Sequence, residues 1–130
     1  MMKQILMIIA LSTMLFSADL DWNDSYHKAL EDAKVQNKDV YMLITSSDCR
    51  WCRKFESITL QDKSVIKRLK EQYVLLHIDR DKNYFPSKFK SKRVPRHYFI
   101  TNKGQIIYSF LGFWEKDDFF SFLSDVDKRR

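Results

Sequence analysis

Two apolar runs stand out in the hydrophobic pattern of the chain, the unbroken Val40–Thr45 and Tyr73–Ile78, which contains one polar residue, His77. Runs of this length without polar alternation are typical of strands that are covered on both faces. The residues between the two runs repeat at helical spacing. Because a helical crossover then joins the two strands, we expect them to lie parallel in one sheet.

Helical periodicity occupies much of the remaining chain. It predicts four helices: Asp21–Asn37, a helix from Cys49 to Ile58, a helix after Asp62, and Glu115–Val126. In the first of these, Trp22 falls on the inner face, and Asp19 or Asp21 is the expected N-cap.

The last third of the chain predicts an antiparallel hairpin. Two apolar segments, His97–Thr101 and Gln105–Leu111, flank a turn sequence that ends in Gly104. Before the hairpin, Asp79–Arg93 is polar and basic, and Pro86 there predicts the start of a short helix. The fold class is therefore α/β, with a central mixed β-sheet flanked by helices.

The N-terminal residues have the pattern of an export signal. Lys3 precedes a twelve-residue apolar run, and the small residues Ser17 and Ala18 follow it. The run is shorter than the roughly 20 residues that span a bilayer. We predict a signal peptide over residues 1–18, cleaved near Ser17 or Ala18, and one domain over 19–130. An uncleaved interfacial anchor is the alternative.

Composition narrows the classes of function. The net charge of +6 becomes +5 when Lys3 is removed, a modest basic excess that is typical of a solvated surface. We expect a monomer in the periplasm and no nucleic-acid partner. Export would place the cysteines in an oxidising compartment, where thiols do not stay reduced without a reductant.

The candidate chemistry lies in Cys49 and Cys52, the only two cysteines of the chain. The first apolar strand leads directly to them, at a predicted helix start. Unpaired N–H groups and the helix dipole would stabilise a thiolate at Cys49, so its pKa should fall below the free value of about 8.5. Cys52 shares the helical face of Cys49, close enough for a disulfide.

Other uses of a cysteine pair fit less well. A c-type haem requires a histidine directly after the second cysteine, where this chain has Arg53. Zinc requires four ligands, and the only additional histidines are scattered, at His27, His77 and His97. An inert structural disulfide is the third alternative. We favour a redox dithiol and expect no metal and no cofactor.

The order of these elements resembles the thioredoxin superfamily over nearly all of residues 19–130. The matched positions are the two cysteines after a buried strand, Pro95 before the hairpin, Gly104 in its turn and Gly112 after it. The segment Cys49-Arg50-Trp51-Cys52, with Phe55-Glu56, is similar to thioredoxin-related C-x-W-C proteins. It also resembles, more loosely, the periplasmic C-terminal domain of the thiol:disulfide interchange protein that imports reducing equivalents.

The resemblance implies a thioredoxin fold and a redox-active disulfide, with Cys49 as the attacking thiol and Cys52 as the resolving thiol. It also implies that Pro95 is cis and faces the cysteines. The backbone of Val94 would then pair with an extended substrate. Arg50 and Trp51, between the cysteines, are further candidates for substrate contact.

Two departures from thioredoxins concern proton transfer. The buried acid of the central strand is replaced by Leu43, and the lysine that pairs with it is replaced by Leu75. The usual proton acceptor for Cys52 is therefore absent. Glu56, one turn beyond Cys52, is a candidate substitute, with a surface ion pair as its alternative role.

Basic residues surround both motifs. We expect five cations around the dithiol, where they would stabilise its thiolate and attract acidic clients: Arg50, Arg53, Lys54, Arg93 and Arg96. Side chains that only solvate the rim are the alternative.

The sequence therefore predicts an exported thiol:disulfide oxidoreductase that reduces disulfides in exported client proteins. A reductase in an oxidising compartment needs an electron donor, and a membrane thiol-reductant transporter is the implied partner. The alternatives are a disulfide-forming oxidase and a non-enzymatic client-binding module. The resemblance implies that the oxidases of this kind usually carry a large helical insertion, and Asp79–Val94 leaves room only for a short one, so the oxidase is less favoured.

Overall fold

The structure is a computed structural model that describes residues 20–130, so the predicted signal peptide lies outside the described residues. Within that range the strands are β1 (Trp22–Asn23), β2 (Asp39–Thr45), β3 (Tyr73–Asp79), β4 (Arg96–Ile100) and β5 (Ile106–Leu111). The helices are α1 (Tyr26–Gln36), α2 (Arg50–Ile58), α3 (Lys63–Gln72) and α4 (Lys116–Arg129). Single 3-10 turns cover Thr59–Gln61 and Ser87–Phe89. None of the helices in residues 20–130 has the length and apolarity to cross a bilayer.

The five strands form one mixed sheet in the order β1-β3-β2-β4-β5. β2 lies parallel to β3 and antiparallel to β4, so the two apolar runs are the parallel, central strands that the pattern predicts. β4 and β5 form the antiparallel hairpin. Both the fold class and the mixed sheet of the sequence-based prediction are confirmed.

The two faces of the sheet bury two separate clusters. On one face, Tyr41, Leu43 and Phe99 pack against residues of α2, α3 and α4 such as Phe55 and Phe119. On the other face, the alternate positions of β2 pack against α1 and against the buried Phe89. The alternation of a strand's side chains thus explains why β2 is apolar throughout.

The start of α1 differs from the prediction. Trp22 is in β1, paired in register with Leu75, and α1 begins at Tyr26. The N-cap is Ser25, whose hydroxyl accepts the N–H of Lys28 at 3.3 Å, so Asp21 is wrong as the cap, and Asp19 lies outside the described residues. Trp22 packs near Tyr41, on the face of the sheet opposite to α1. A helix could not have placed Trp22 on that face, and the edge of β3 gains a partner for its backbone groups.

The turn of the hairpin requires its glycine. Gly104 has a φ of +81°, and a Cβ atom there would lie 2.5 Å from the hydroxyl of Tyr26. The backbone of Gly104 thus adopts the left-handed region, which glycine favours, and there is no space for a side chain beside Tyr26. The segment before the hairpin is anchored as well, because the short turn after Pro86 buries Phe89 against Tyr26 and Tyr98.

The position of the first cap can be tested by mutation. We expect Ser25→Ala to lower the free energy of unfolding by about 1 kcal/mol, because the first turn of α1 loses an acceptor for a backbone N–H. Asp21→Ala is the matched control and should leave stability unchanged within about 0.5 kcal/mol. Urea denaturation of both variants measures the difference. Equal losses in the two variants would contradict the assigned start of α1.

Candidate active site

The cysteine pair lies at the edge where the parallel strands β2 and β3 both end. Cys49 is the N-cap of α2, with an extended backbone (φ −138°, ψ 99°), and its Sγ accepts the N–H of Cys52 at 3.1 Å. The two sulfur atoms are bonded at 2.14 Å, with the Cα atoms 5.3 Å apart. The helix start therefore provides both the spacing for the disulfide and a donor to the sulfur of Cys49.

Cys49 faces an open groove of about 470 Å³, whereas Cys52 does not line that groove. The exposed fractions of the two residues are 7% and 2%. The groove is also lined by all four residues that the sequence predicts as substrate contacts: Arg50, Trp51, Val94 and Pro95. The Val94–Pro95 peptide bond is cis, as the resemblance implies.

One wall near the disulfide is an aromatic platform. Trp51 is 49% exposed and stacks on Phe113, with ring centroids 6.3 Å apart. Lys54 Nζ lies 5.3 Å from the Trp51 ring and 5.1 Å from the Phe113 ring, while the Arg50 guanidinium lies 5.5 Å from the Trp51 ring. These distances allow cation–π attraction, which holds an exposed aromatic surface beside Cys49. Sequence reasoning did not single out Phe113.

The five expected cations are not all beside the disulfide. Arg50 and Arg93 line the groove, but Arg53, Lys54 and Arg96 do not. The Arg96 guanidinium lies 5.4 Å from the Tyr98 ring and donates to the Ser109 hydroxyl at 3.0 Å. Arg96 and Tyr98 share one face of β4, which explains this contact, and an effect of Arg96 on the dithiol stays a prediction.

Two basic residues that sequence reasoning missed do line the groove, Arg80 and Lys92. A signal for Arg80 was present. Arg80 directly follows β3, and the carboxyl ends of neighbouring parallel strands meet at one edge of a sheet. Lys92 precedes Pro95 in a segment without regular structure, where spacing gives no direction for a side chain.

A buried imidazole lies beneath the site. His97 is paired in register with Leu43, the position of the missing acid, and its ring stacks on Phe110 at 4.2 Å. Its Nε2 donates to the Gly112 carbonyl at 2.9 Å, so in the neutral ring Nδ1 accepts from the Tyr41 hydroxyl at 2.7 Å. Burial lowers the pKa of His97 to about 3, so the ring is uncharged in the folded protein.

Glu56 lies outside the disulfide groove, in a separate depression of about 330 Å³. Its Oε1 is 3.2 Å from Nε2 of His77, which is also 3.0 Å from the Thr45 hydroxyl. Burial raises the pKa of Tyr41 well above its usual range, and the nearby Glu56 carboxylate adds to that rise. Glu56 therefore contacts His77, as the ion-pair alternative expects, and its charge also acts on the buried Tyr41.

The three histidines lie in three different surroundings. His27 stacks on Tyr84 at 5.5 Å, His77 contacts Glu56, and His97 is buried. Within residues 20–130, no group of three His, Cys, Asp or Glu side chains is arranged to hold a metal ion.

The fold, the matching family and the cysteine pair define a member of the thioredoxin superfamily with a disulfide at the position expected for thiol–disulfide exchange. More particularly, the chain belongs to the family described as Thioredox_DsbH, protein of unknown function, DUF255, whose model matches residues 12–92.

Solved structures with the same fold support this assignment. A structure described as "DsbH Oxidoreductase" is 26% identical, with a TM-score of 0.71 over 88% of each chain. A thioredoxin from Thermus thermophilus is 19% identical, with a TM-score of 0.69 over 80% of this chain and 85% of that one. The oxidised C-terminal domain of DsbD from Neisseria meningitidis is 18% identical, with a TM-score of 0.63 over 79% and 90%. The last two show the fold alone.

Among curated proteins the similarity is partial. Spermatogenesis-associated protein 20 of Mus musculus is 27% identical over 62 residues, which are 48% of this chain and 8% of that protein. Anterior gradient protein 3 of Xenopus tropicalis is 28% identical over 85 residues, which are 63% of this chain and 50% of that protein. The chain thus spans only a small part of the first of these relatives and half of the second.

The buried imidazole predicts a pH dependence of stability. The folded pKa of His97 is about 3, whereas an exposed histidine titrates near 6.5. Between these values the unfolded chain binds a proton that the folded chain does not. Stability is therefore complete above about pH 6.5 and falls toward pH 3, by up to ~1.4 kcal/mol per pH unit. We expect urea denaturation of the oxidised protein to show this loss between pH 6.5 and 5, and His97→Gln to remove it.

A control separates His97 from other groups. His27→Gln, which changes an exposed ring, should keep the loss seen in the wild type. A hydrogen bond from the Ser64 hydroxyl lowers the pKa of Asp62, and one from the backbone of Asp81 lowers that of Asp79. Their contributions are lost only at pH values below this window. An unchanged slope in His97→Gln would exclude the assigned role.

Proposed function

We propose that this protein is an exported reductase that opens disulfides in exported client proteins through Cys49 and Cys52. The observation that carries the proposal is the asymmetry of the cysteine pair. Cys49 lines the groove beside Val94 and accepts a backbone N–H, while Cys52 lies behind it with an exposed fraction of 2%. An attacking thiol needs access to the client, and a resolving thiol needs access only to its partner.

In the proposed cycle, the Cys49 thiolate of the reduced protein attacks one sulfur of the client disulfide. A Cys49–client bond forms, and the other client sulfur leaves as a thiolate. Cys52 loses its proton and attacks Cys49, which releases the second client thiolate and forms the Cys49–Cys52 disulfide. Two electrons have then moved from the protein to the client. The protein is left in the disulfide form that the structure describes.

Each turnover therefore requires a reductant. We assign this role to the dithiol of a membrane thiol-reductant transporter. The proposed location is the periplasm, reached through the signal peptide at residues 1–18 that precedes a domain at 19–130. The fold-level likeness to the C-terminal domain of DsbD is consistent with a partner in thiol–disulfide exchange.

Reduction is favoured over oxidation by the connection between β3 and β4. This segment contains a single 3-10 turn, Ser87–Phe89, rather than an inserted helical unit. The groove beside Cys49 is lined by the apolar residues Val94, Pro95 and Leu111. A non-enzymatic binding module would use the same groove without needing either cysteine.

Insulin reduction with dithiothreitol as electron source separates the enzyme from a binding module. We expect Cys49→Ser to abolish turnover, because no mixed disulfide can form. When the reduced protein is freed of dithiothreitol and mixed with insulin, Cys52→Ala should accumulate a covalent client adduct that gel electrophoresis without reductant detects. Ser57→Ala, which changes an exposed hydroxyl on α2, is the control and should retain wild-type turnover. Full activity in Cys49→Ser would refute the proposed cycle.

A second prediction concerns the proton of Cys52. Glu56 is one turn beyond Cys52 on α2 and its carboxylate is held by His77 at 3.2 Å. If Glu56 accepts that proton, Glu56→Gln should slow release from the mixed disulfide by roughly tenfold or more, within the range of general base catalysis. Stopped-flow measurement of a preformed Cys49–client adduct gives this rate directly. Glu71→Gln, an exposed carboxylate on α3, is the control, and equal rates in both variants would leave Glu56 as a surface ion-pair residue.

A further inference from the structure

The positive charge of the chain is concentrated in one segment. Residues 80–96 contain seven Lys or Arg residues and a single acid, Asp81, so that their net charge is +6. The net charge of the whole chain is also +6, so the positive and negative charges of all the other residues cancel. A uniform solvated surface would distribute this excess, whereas a local concentration creates a field that attracts anionic partners.

This basic segment forms a second depression next to the disulfide groove. The depression has a volume of about 580 Å³ and is lined by Phe85, Lys90 and Ser91, among others. Arg80 and Lys92 line both this depression and the disulfide groove. Arg80 Nη1 donates to the Lys92 carbonyl at 3.1 Å, which holds the two residues together at the junction.

The basic segment is held against the sheet rather than extended into solvent. Phe89 is fully buried, and its carbonyl accepts the Tyr98 hydroxyl at 3.3 Å. Lys88 Nζ donates to the Gly104 carbonyl at 2.6 Å. The walls of the depression are therefore largely formed before a partner binds, which reduces the entropic cost of binding.

Two of the acids near this surface, Asp79 and Asp81, are engaged by Ser47. One Asp81 carboxylate oxygen accepts the Ser47 N–H at 3.5 Å, and one Asp79 oxygen accepts the Ser47 hydroxyl at 3.1 Å. Asp48 lines the disulfide groove and Asp81 lines the second depression. Five cations line the disulfide groove and the depression together and outnumber these two carboxylates: Arg50, Arg80, Lys90, Lys92 and Arg93.

We propose that the disulfide groove and the adjoining depression form one docking groove for an extended, acidic segment of a client polypeptide. The proposal rests on the proposed function, since it specifies which clients the disulfide meets. A client cysteine at Cys49 requires its neighbouring residues to leave along the groove, and at about 3.3 Å per residue a few residues reach the depression. Carboxylates there would lie beside Lys90 and Lys92. A polypeptide fits better than an anionic membrane, because a membrane on this surface would cover Cys49.

The test uses two disulfide-bonded peptides that differ at only two positions, three to five residues from the cysteine. These two positions are Glu in one peptide and Gln in the other. One pair of peptides carries these residues on the N-terminal side of the cysteine, and a second pair carries them on the C-terminal side. We expect the wild type to reduce the Glu peptide with a kcat/KM about three- to tenfold higher at low salt. The ratio should approach one in 0.5 M salt (a Debye length of about 4 Å).

Charge reversal locates the effect. Lys90→Glu/Lys92→Glu should bring the Glu-to-Gln ratio to one or below. Lys63→Glu/Lys67→Glu, which changes the net charge equally on exposed positions of α3, should leave the ratio unchanged. A ratio of one in the wild type on both sides of the cysteine, or equal effects of the two double variants, would overturn the proposal.

A binding measurement separates this proposal from the proposed function. Fluorescence anisotropy of a cysteine-free Glu-rich peptide with the oxidised protein requires no turnover. We expect binding that Lys90→Glu/Lys92→Glu weakens at least about threefold, the effect of losing a pair of exposed charge interactions. Peptide binding without insulin reduction would retain the docking groove and refute the reductase. Binding only to phosphatidylglycerol vesicles would identify the surface as a membrane contact and overturn the proposal.

Discussion

The first turn of α2 needs acceptors for its free backbone N–H groups, and the position of the site depends on how this need is met. The sulfur of Cys49 accepts one of these groups, from Cys52, and so serves as the cap of the helix. Cys49 has an extended backbone and follows the end of β2 at Thr45 after three residues, so the cap lies where the chain passes from the strand edge into the helix. The same contact therefore sets the helix start, the spacing of the cysteines and the exposure of Cys49 at the groove.

The sequence predicted those parts of the fold in which a single physical requirement, such as burial or backbone conformation, determines the residue type. β2 and β3 are apolar because both of their faces are covered, and Gly104 is required by its backbone and by Tyr26. Trp22 was misplaced because its spacing from Tyr26 matches a helix, although the edge of β3 gives it a strand partner. Local periodicity contains no information about such a distant partner.

The site was predictable to the extent that it follows from local order along the chain. The cysteine pair, Trp51 and Val94-Pro95 are identified by their neighbours in sequence, and the structure places Cys49, Trp51, Val94 and Pro95 along one groove. Arg96 does not line that groove, and its guanidinium lies by the Tyr98 ring, because side chains two residues apart on a strand share a face. The role of His97 depends on Tyr41 and Gly112, which are far from it in sequence, so no pattern around His97 could reveal it.

The contacts of the short turn Ser87–Phe89 have a consequence for protein engineering. Lys88 is bonded to Gly104 and Phe89 to Tyr98, so the basic segment and the hairpin are built as one unit. A graft of residues 80–96 alone into another thioredoxin-like scaffold would lose these anchor points and with them the shape of the depression. A transplant that carries the hairpin as well, together with a tyrosine at the position of Tyr26, would keep the unit whole.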